Sequence, residues 1–185
     1  MRRSVNAAQL VHLRPDPALS LKDPESSELG RAILSEGLAL MNELGLEAFT
    51  FKKLAARLQS TEVSLYKYFP NKQRLLQYYY QLYWLWLRQV SGRHAERSAS
   101  PREALERVVE AVCGVWPKEV PGLQLDPHAL RALVIDEGMK AYLHKNVDDD
   151  NARRLFTPYK ELSAFIAELL VACRKDVPMP RSFAT

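Results

Sequence analysis

Two short helices joined by a tight polar turn constrain the fold of this chain more than any other part of the sequence. The first is predicted from Phe51 to Leu58, and the second from Thr61 to about Phe69. Thr50 and Thr61 stand where a hydroxyl group accepts a hydrogen bond from a backbone N–H of the first helical turn. Helices of two to three turns with a short turn between them match the helix-turn-helix pattern.

Apolar residues recur at helical spacing along the rest of the chain, and Asp, Ser and Asn in cap positions indicate where helices begin. These signals predict further helices over residues 23–44 and 71–97, from residues 100 and 126 onward, and over 151–175. Pro158 either kinks the last helix or marks its true start. With 47% hydrophobic residues, only 7 glycines and no convincing strand run, the sequence predicts an all-α protein.

Positive charge is concentrated in the helix-turn-helix stretch. The whole chain has a formal net charge of +4, and the same excess is found within residues 45–76 alone, so the remainder sums to about zero. The acidic residues of this stretch are Glu47 and Glu62, and its basic residues are Lys52, Lys53, Arg57, Lys67, Lys72 and Arg74. A local excess of this kind favours a polyanionic partner.

The remaining composition bears on location. Cys113 and Cys173 lie far apart within apolar helical patterns, which favours reduced thiols and a cytoplasmic protein. The run from Tyr78 to Leu87 is too short to span a bilayer, and residues 1–22 lack the apolar core of a signal peptide, so no membrane partner is expected. We expect residues 1–22 to form a flexible arm and residues 177–185 a tail.

The stretch from Arg31 to Leu76 resembles the N-terminal domain of TetR-family transcriptional regulators. It covers about 46 of the 185 residues. The residues that carry the resemblance are Gly45, Thr50, Leu54-Ala55, the run Leu65-Tyr66-Lys67-Tyr68-Phe69, Asn71-Lys72 and Leu75-Leu76. The chain departs from the family pattern in two places: Leu58-Gln59-Ser60 replaces the usual Ala-Gly-Val of the turn, and Val63 replaces a small residue.

The resemblance implies a two-part all-α architecture. A helix-turn-helix DNA-binding domain over residues 23–76 is joined by a long helix to a C-terminal helical domain for effector binding and dimerisation over residues 77–176. The last two helices resemble the bundle through which such regulators form homodimers. Pairing about a two-fold axis places the two DNA-reading units about one turn of DNA apart.

Residue roles follow from how a helix-turn-helix docks. The first residues of its second helix read base edges, and flanking groups hold phosphates. Thr61, Glu62 and Ser64 are therefore candidates for base reading, although Glu62 also fits a solvated acid at a helix N-terminus. The family positions imply phosphate contacts for Tyr66, Tyr68 and Lys72, with core packing as the alternative for one tyrosine. The other candidates for the DNA-binding surface are Thr50, Lys52, Lys53 and Lys67.

The C-terminal region offers a weaker prediction. An aromatic cluster there provides four candidates for an effector pocket, namely Tyr79, Tyr83, Trp86 and Trp116. Core packing is the alternative for these rings. In regulators of this family, a ligand in the C-terminal domain moves the fourth helix and changes the spacing of the DNA-reading units.

The leading hypothesis is a dimeric, ligand-modulated DNA-binding regulator, most often a repressor in this family, with double-stranded operator DNA and a small apolar effector as partners. The alternative is an all-α binding protein for a hydrophobic small molecule whose DNA-binding unit has become vestigial. An enzyme is not expected, because the four histidines lack metal-ligand spacing and no nucleophile elbow or glycine-rich phosphate loop occurs. We expect no cofactor and no metal.

Overall fold

The computed structural model describes residues 13–116, 123–142 and 156–174. Within these ranges the chain forms α-helices and two short 3-10 turns, with no β-strand, as the sequence predicts. The helices are α1 (Glu28–Ala48), α2 (Phe51–Arg57), α3 (Glu62–Tyr66), α4 (Lys72–Glu96), α5 (Pro101–Val112), α6 (Pro127–Tyr142) and α7 (Thr157–Cys173). Among these described helices, none is both long and apolar enough to cross a membrane.

Side-chain caps set the starts of the middle helices, at the predicted residues. Thr50, Thr61, Asn71 and Ser100 each accept a hydrogen bond from a backbone N–H three residues further on, at 2.9–3.2 Å. Each bond satisfies one of the N–H groups that a helix N-terminus leaves without an internal partner. The predicted starts of α2, α3, α4 and α5 are therefore confirmed.

The ends of several helices differ from the sequence-based bounds. Asp23 caps a 3-10 turn over Pro24–Ser26, and α1 begins only after Ser27, whose hydroxyl accepts from the Gly30 N–H at 3.1 Å. α3 ends at Tyr66, not at Phe69. The last helix begins at Thr157, so the structure favours Pro158 as part of its start, because a proline in the first turn has no N–H to leave unpaired. Residues 151–155 lie outside the described ranges.

The N-terminal segment corrects another expectation. We predicted a flexible arm over residues 1–22, but residues 13–22 pack on the head and on α4. Leu13 and Leu19 are buried, and the Leu21 N–H donates to the carbonyl of Tyr68 at 2.7 Å. Buried leucines and a backbone hydrogen bond outweigh the disorder suggested by Pro15 and Pro17. Residues 1–12 and the predicted tail over 177–185 lie outside the described residues.

Helix α4 is the centre of the packing. α1, α2 and α3 form a head, to which the first turns of α4 belong, and α5, α6 and α7 pack on the rest of α4 as a body. Leu54, Leu65 and Phe69 are fully buried in the head, while Trp86 and Leu87 of α4 are fully buried in the body. α6 also packs on α1, so head and body are joined both through α4 and across the α1–α6 contact.

The turn between α2 and α3 forms without glycine. Gln59 takes a positive φ of 50°, the Ser60 N–H donates to the Ala55 carbonyl at 2.9 Å, and the Gln59 N–H donates to Ala56 at 3.2 Å. These bonds are the Schellman arrangement that ends a helix with a left-handed residue. α5 ends in the same way at Gly114, with φ 91°. The departure from the family pattern therefore changes the side chain but keeps the geometry of a helix-ending turn.

We predict that Gln59→Gly stabilises the protein. A left-handed residue with a Cβ destabilises the folded state by roughly 1–2 kcal/mol, and glycine removes this strain. Glycine also gives the unfolded chain more conformational freedom, which offsets about 0.5–1 kcal/mol of the gain. The net gain in the free energy of unfolding is about 0.5–1 kcal/mol, visible as a rise of about 1–4 °C in Tm by calorimetry. Gln59→Ala, which keeps the Cβ, is the control and leaves Tm unchanged. A Tm for Gln59→Gly equal to that of Gln59→Ala would show that the turn carries no such strain.

Candidate DNA-binding site

Buried aromatic and aliphatic side chains fix the angle between α2 and α3. Phe51 is buried at the start of α2, and its ring lies 5.0 Å from that of Tyr66 at the end of α3, measured between centroids. Leu54 and Leu65 are fully buried between the helices. The start of α3 is thereby held on a rigid support, and its first side chains lie at the surface.

The start of α3 presents a small polar surface around one apolar side chain. Thr61 is exposed, while Glu62 and Ser64 are half-buried. The Thr61 hydroxyl accepts from the Ser64 N–H at 3.2 Å and lies 2.9 Å from the Ser64 hydroxyl, so the two side chains are oriented together. Hydroxyl and carboxylate groups at this position of a recognition helix can reach base edges in the major groove.

Val63 belongs to the same surface and was not among the predicted site residues. Its side chain is 68% exposed in the first turn of α3, between two of the predicted base-reading residues. A branched apolar side chain at such a position suits contact with a thymine methyl group. Val63 directly follows Glu62 in a short helix that Thr61 caps. This position in the first turn is the sequence signal that indicates a surface residue and not a core residue.

Basic and hydroxyl side chains flank α3. Thr50, Lys52 and Lys53 are exposed at the start of α2, and Lys67 is exposed just after α3. Tyr66 is 46% exposed, so its hydroxyl end reaches the surface while its ring contacts Phe51. Lys53 also donates to the Ala48 carbonyl at 2.8 Å, which ties the start of α2 to the end of α1. These groups have the chemistry for holding phosphates on both sides of a groove.

Two predicted phosphate contacts are placed elsewhere. Tyr68 is only 5% exposed, and its hydroxyl lies 2.7 Å from that of Ser27, so the structure favours the core alternative for this ring. The hydrogen bond with Ser27, with help from nearby Lys22, lowers the pKa of Tyr68. The sequence alone did not separate Tyr66 from Tyr68, because a short helix end offers no clear period to say which ring faces inward.

The side chain of Lys72 binds backbone carbonyls of the protein itself. Its ammonium group donates to the carbonyls of Leu46, Glu47 and Phe49 at 2.7, 3.0 and 3.2 Å. Three carbonyl partners match the three donors of a lysine ammonium group. In this structure Lys72 therefore holds the end of α1 and not an external anion.

Arg57 is likewise committed within the head. Its guanidinium lies 2.7 Å from a Glu36 oxygen and 2.8 Å from a Glu43 oxygen, and hydrogen bonds to Glu43 and Glu36 raise its pKa. The pairs are at the surface, so they contribute little to stability. These ion pairs neutralise Arg57, which was one of the basic residues counted in the positive charge of residues 45–76.

The predicted effector residues are packed in the core. Tyr79 is fully buried, and its hydroxyl donates to the Leu34 carbonyl of α1 at 2.8 Å. Tyr83 and Trp86 are buried, burial raises the pKa of Tyr83 to about 12, and the Trp86 ring lies 4.8 Å from that of half-buried Trp116. Two cavities, of about 320 and 370 Å³, are lined by other residues. The structure thus favours core packing for these four rings.

Over residues 13–116, 123–142 and 156–174, no three His, Cys, Asp or Glu side chains come together as metal ligands.

Comparison with known proteins gives matches to one family of bacterial regulators. The family model described as bacterial regulatory proteins of the tetR family matches residues 33–79. The tetracycline repressor protein class G of Vibrio anguillarum is 43% identical over 44 residues, a match that spans 24% of this chain and 21% of that protein. No solved structure matches the chain significantly.

The family-model match covers α2, the turn and α3, together with most of α1 and the start of α4. The capped starts of α2 and α3 and the exposed first turn of α3 are in place within it. Residues 33–79 of this chain are therefore similar to the TetR family of bacterial regulatory proteins, over less than half of its length.

Proposed function

We propose that this chain is a DNA-binding transcriptional regulator that acts as a repressor on double-stranded operator DNA in the cytoplasm. The observation that carries the proposal is the exposed first turn of α3, held rigidly on α2 and flanked by basic side chains within a TetR-family domain. Repression is proposed because the similar protein from Vibrio anguillarum is named a repressor.

The proposed complex has α3 in the major groove. Thr61, Glu62, Val63 and Ser64 face base edges, and of these Glu62 has an acceptor suited to a cytosine amino group. The proposed phosphate contacts come from the exposed side chains on either side, which are Thr50, Lys52, Lys53, Tyr66 and Lys67. Tyr68 is left out because it is buried, and Lys72 because it donates to three carbonyls, whereas exposed Lys53 donates to one.

Dimerisation is proposed through the C-terminal helices. On α6, Ile135 and Met139 are exposed one helical turn apart, at 58% and 73%. On α7, Val171 is exposed and Leu170 beside it is half-buried. Apolar side chains at one-turn spacing on an outer face are typical of a surface that pairs with another copy. Modulation by a small apolar effector is part of the proposal, with no pocket assigned.

DNA binding is tested by selecting duplexes from a randomised library with the full chain and measuring affinity against salt. A dimer that makes roughly 6–10 phosphate contacts loses about 10³–10⁵ in affinity between 50 and 200 mM salt. The selected sites are expected to be palindromic, since a two-fold dimer reads two matching half-sites. A chain that enriches no sequence and binds no duplex at low salt would favour the alternative, a small-molecule binding protein with a vestigial head.

The two tyrosines provide a matched pair of variants. Tyr66→Phe removes an exposed hydroxyl, so it weakens binding to all duplexes similarly, by about 1–2 kcal/mol, and leaves the unfolding free energy unchanged. Tyr68→Phe removes a buried hydroxyl paired with Ser27, so it lowers the unfolding free energy by about 1 kcal/mol and leaves affinity nearly unchanged. Fluorescence anisotropy and denaturant titrations measure both quantities. The reverse pattern would exchange the assignments of the two rings.

Base reading is tested at Ser64. Ser64→Ala removes a hydroxyl from the reading surface and should change which base is preferred at one position of each half-site, at a cost of about 1–3 kcal/mol for the original base. Selection from the randomised library compares the preferences of the variant and the wild type. An unchanged preference with uniformly weaker binding would reassign Ser64 to the backbone-contacting group.

The dimer surface is tested by placing a charge on it. Leu170→Glu is expected to convert the dimer to a monomer at micromolar concentration, because the paired surface would then bury two like charges near the two-fold axis. Sedimentation velocity measures the change, with Glu161→Gln on an exposed position of the same helix as the control. A wild-type chain that sediments as a monomer at all concentrations would exclude the proposed dimer.

A further inference from the structure

The end of α1 contains a break that leaves a backbone group in need of a partner. Gly45 has φ 72° and ψ 162°, a conformation that is essentially restricted to glycine. In an uninterrupted helix the Leu46 N–H would donate to the carbonyl four residues earlier, and the break at Gly45 removes that bond. The Leu46 side chain is buried, so water cannot readily replace the lost partner.

Glu137 of α6 supplies the missing acceptor. Its Oε1 accepts from the Leu46 N–H at 3.0 Å across 91 positions of sequence, and the residue is only 7% exposed. Its other oxygen lies 2.7 Å from the Lys140 ammonium. Burial by itself raises the pKa of Glu137, but Lys140, the Leu46 N–H and Lys72 outweigh it and keep the pKa below its ordinary value, so the carboxylate is ionised.

The short turn after the break is held by opposite charges at its two ends. The carboxylate of Glu137 lies at the N–H of Leu46, and the ammonium of Lys72 lies at the carbonyls of Leu46, Glu47 and Phe49. A negative group at the amide end and a positive group at the carbonyl end both stabilise a helical turn. Thr50, which caps α2, is the next residue along the chain.

Glycine at position 45 is also what allows Glu137 to approach. A Cβ on residue 45 would lie 3.1 Å from Glu137 Oε1, in addition to the strain of its positive φ. Two further contacts tie α6 to the same region: Lys140 lies 3.5 Å from a Glu47 oxygen, and the Gln73 side-chain amide donates to the Lys140 carbonyl at 2.7 Å. The carboxyl-terminal turns of α6 therefore contact both α1 and the first turn of α4.

We propose that Glu137 is a positioning residue that sets the orientation of the DNA-binding head on the body, by holding the turn of residues 46–49 from which α2 starts. The inference rests on the proposed function in one respect, since it assigns a consequence for DNA affinity. A displacement of α6 away from α1 withdraws the Glu137 acceptor from this turn, which Lys72 continues to hold at its carbonyls. A movement of α6 can thus change the position of α2 directly, through the turn of residues 46–49, without a movement of α4.

A buried charged group is a less favourable packing contact than an apolar side chain. Burying a carboxylate is unfavourable unless partners compensate it, whereas an apolar side chain at the same place would stabilise the interface without that penalty. An apolar side chain cannot accept a hydrogen bond from the Leu46 N–H. It therefore cannot select one register of α6 against α1. The contact therefore serves the orientation of the head more than the stability of the interface.

The first test measures the Leu46 amide by hydrogen exchange in the full chain, with no DNA present. Glu137→Ala should speed exchange of this amide about 10-fold or more, while amides at the centre of the head, such as Leu54 and Leu65, keep their protection. Glu137→Gln keeps an acceptor oxygen and should restore protection to within about threefold of the wild type. Asp136→Ala, at the adjacent exposed position of α6, is the matched control and should change nothing.

The second test measures affinity for the duplex selected with the wild-type chain. Glu137→Ala should weaken binding by about 5- to 150-fold, the range for coupling between distant sites, and Glu137→Gln should recover most of the loss. Equal affinity of Glu137→Ala and the wild type would overturn the proposal, as would an unchanged Leu46 exchange rate. If the wild type binds no duplex, the proposed function fails, and the exchange rates alone decide whether Glu137 holds the head.

Discussion

The break in α1 at Gly45 is the constraint on which the geometry of the head depends. It changes the direction of the chain before α2 and leaves the Leu46 N–H without its helical acceptor, and the end of the helix leaves the carbonyls of Leu46, Glu47 and Phe49 without helical partners. Glu137 and Lys72 satisfy these groups from two different helices. The start of α2 is therefore determined by side chains from α6 and α4 as well as by its own cap.

The same requirement, that backbone groups freed at helix ends find partners, explains how the other helices begin and end. Thr50, Thr61 and Asn71 satisfy helix N-termini within three residues of chain, whereas Gln59 and Gly114 end helices through left-handed turns. The hydroxyl of Tyr79 donates to the Leu34 carbonyl and so ties α4 to α1. Local caps place the helices along the chain, and long-range hydrogen bonds set how they lie against each other.

The site shows which predictions a single sequence supports. Residues of α2 and α3 with a clear cap or a clear exposed position, such as Thr61 and Lys67, are found where they were expected. Tyr68 and Lys72 differ, because their hydroxyl and ammonium groups find partners at Ser27 and at the end of α1, far away in sequence. The aromatic residues of α4 were ambiguous for a related reason, since a helix with apolar side chains on several faces gives no period from which to choose pocket or core.

Caps, helical periodicity and local charge were enough to predict an all-α chain and a helix-turn-helix between Thr50 and Phe69, because each of these depends on residues within a few positions of one another. The tertiary structure alone decided which tyrosine is buried, that residues 13–22 pack on the head, and that Glu137 meets Leu46. These depend on contacts between segments up to 91 residues apart, and the energies of such contacts leave no periodic trace in the sequence.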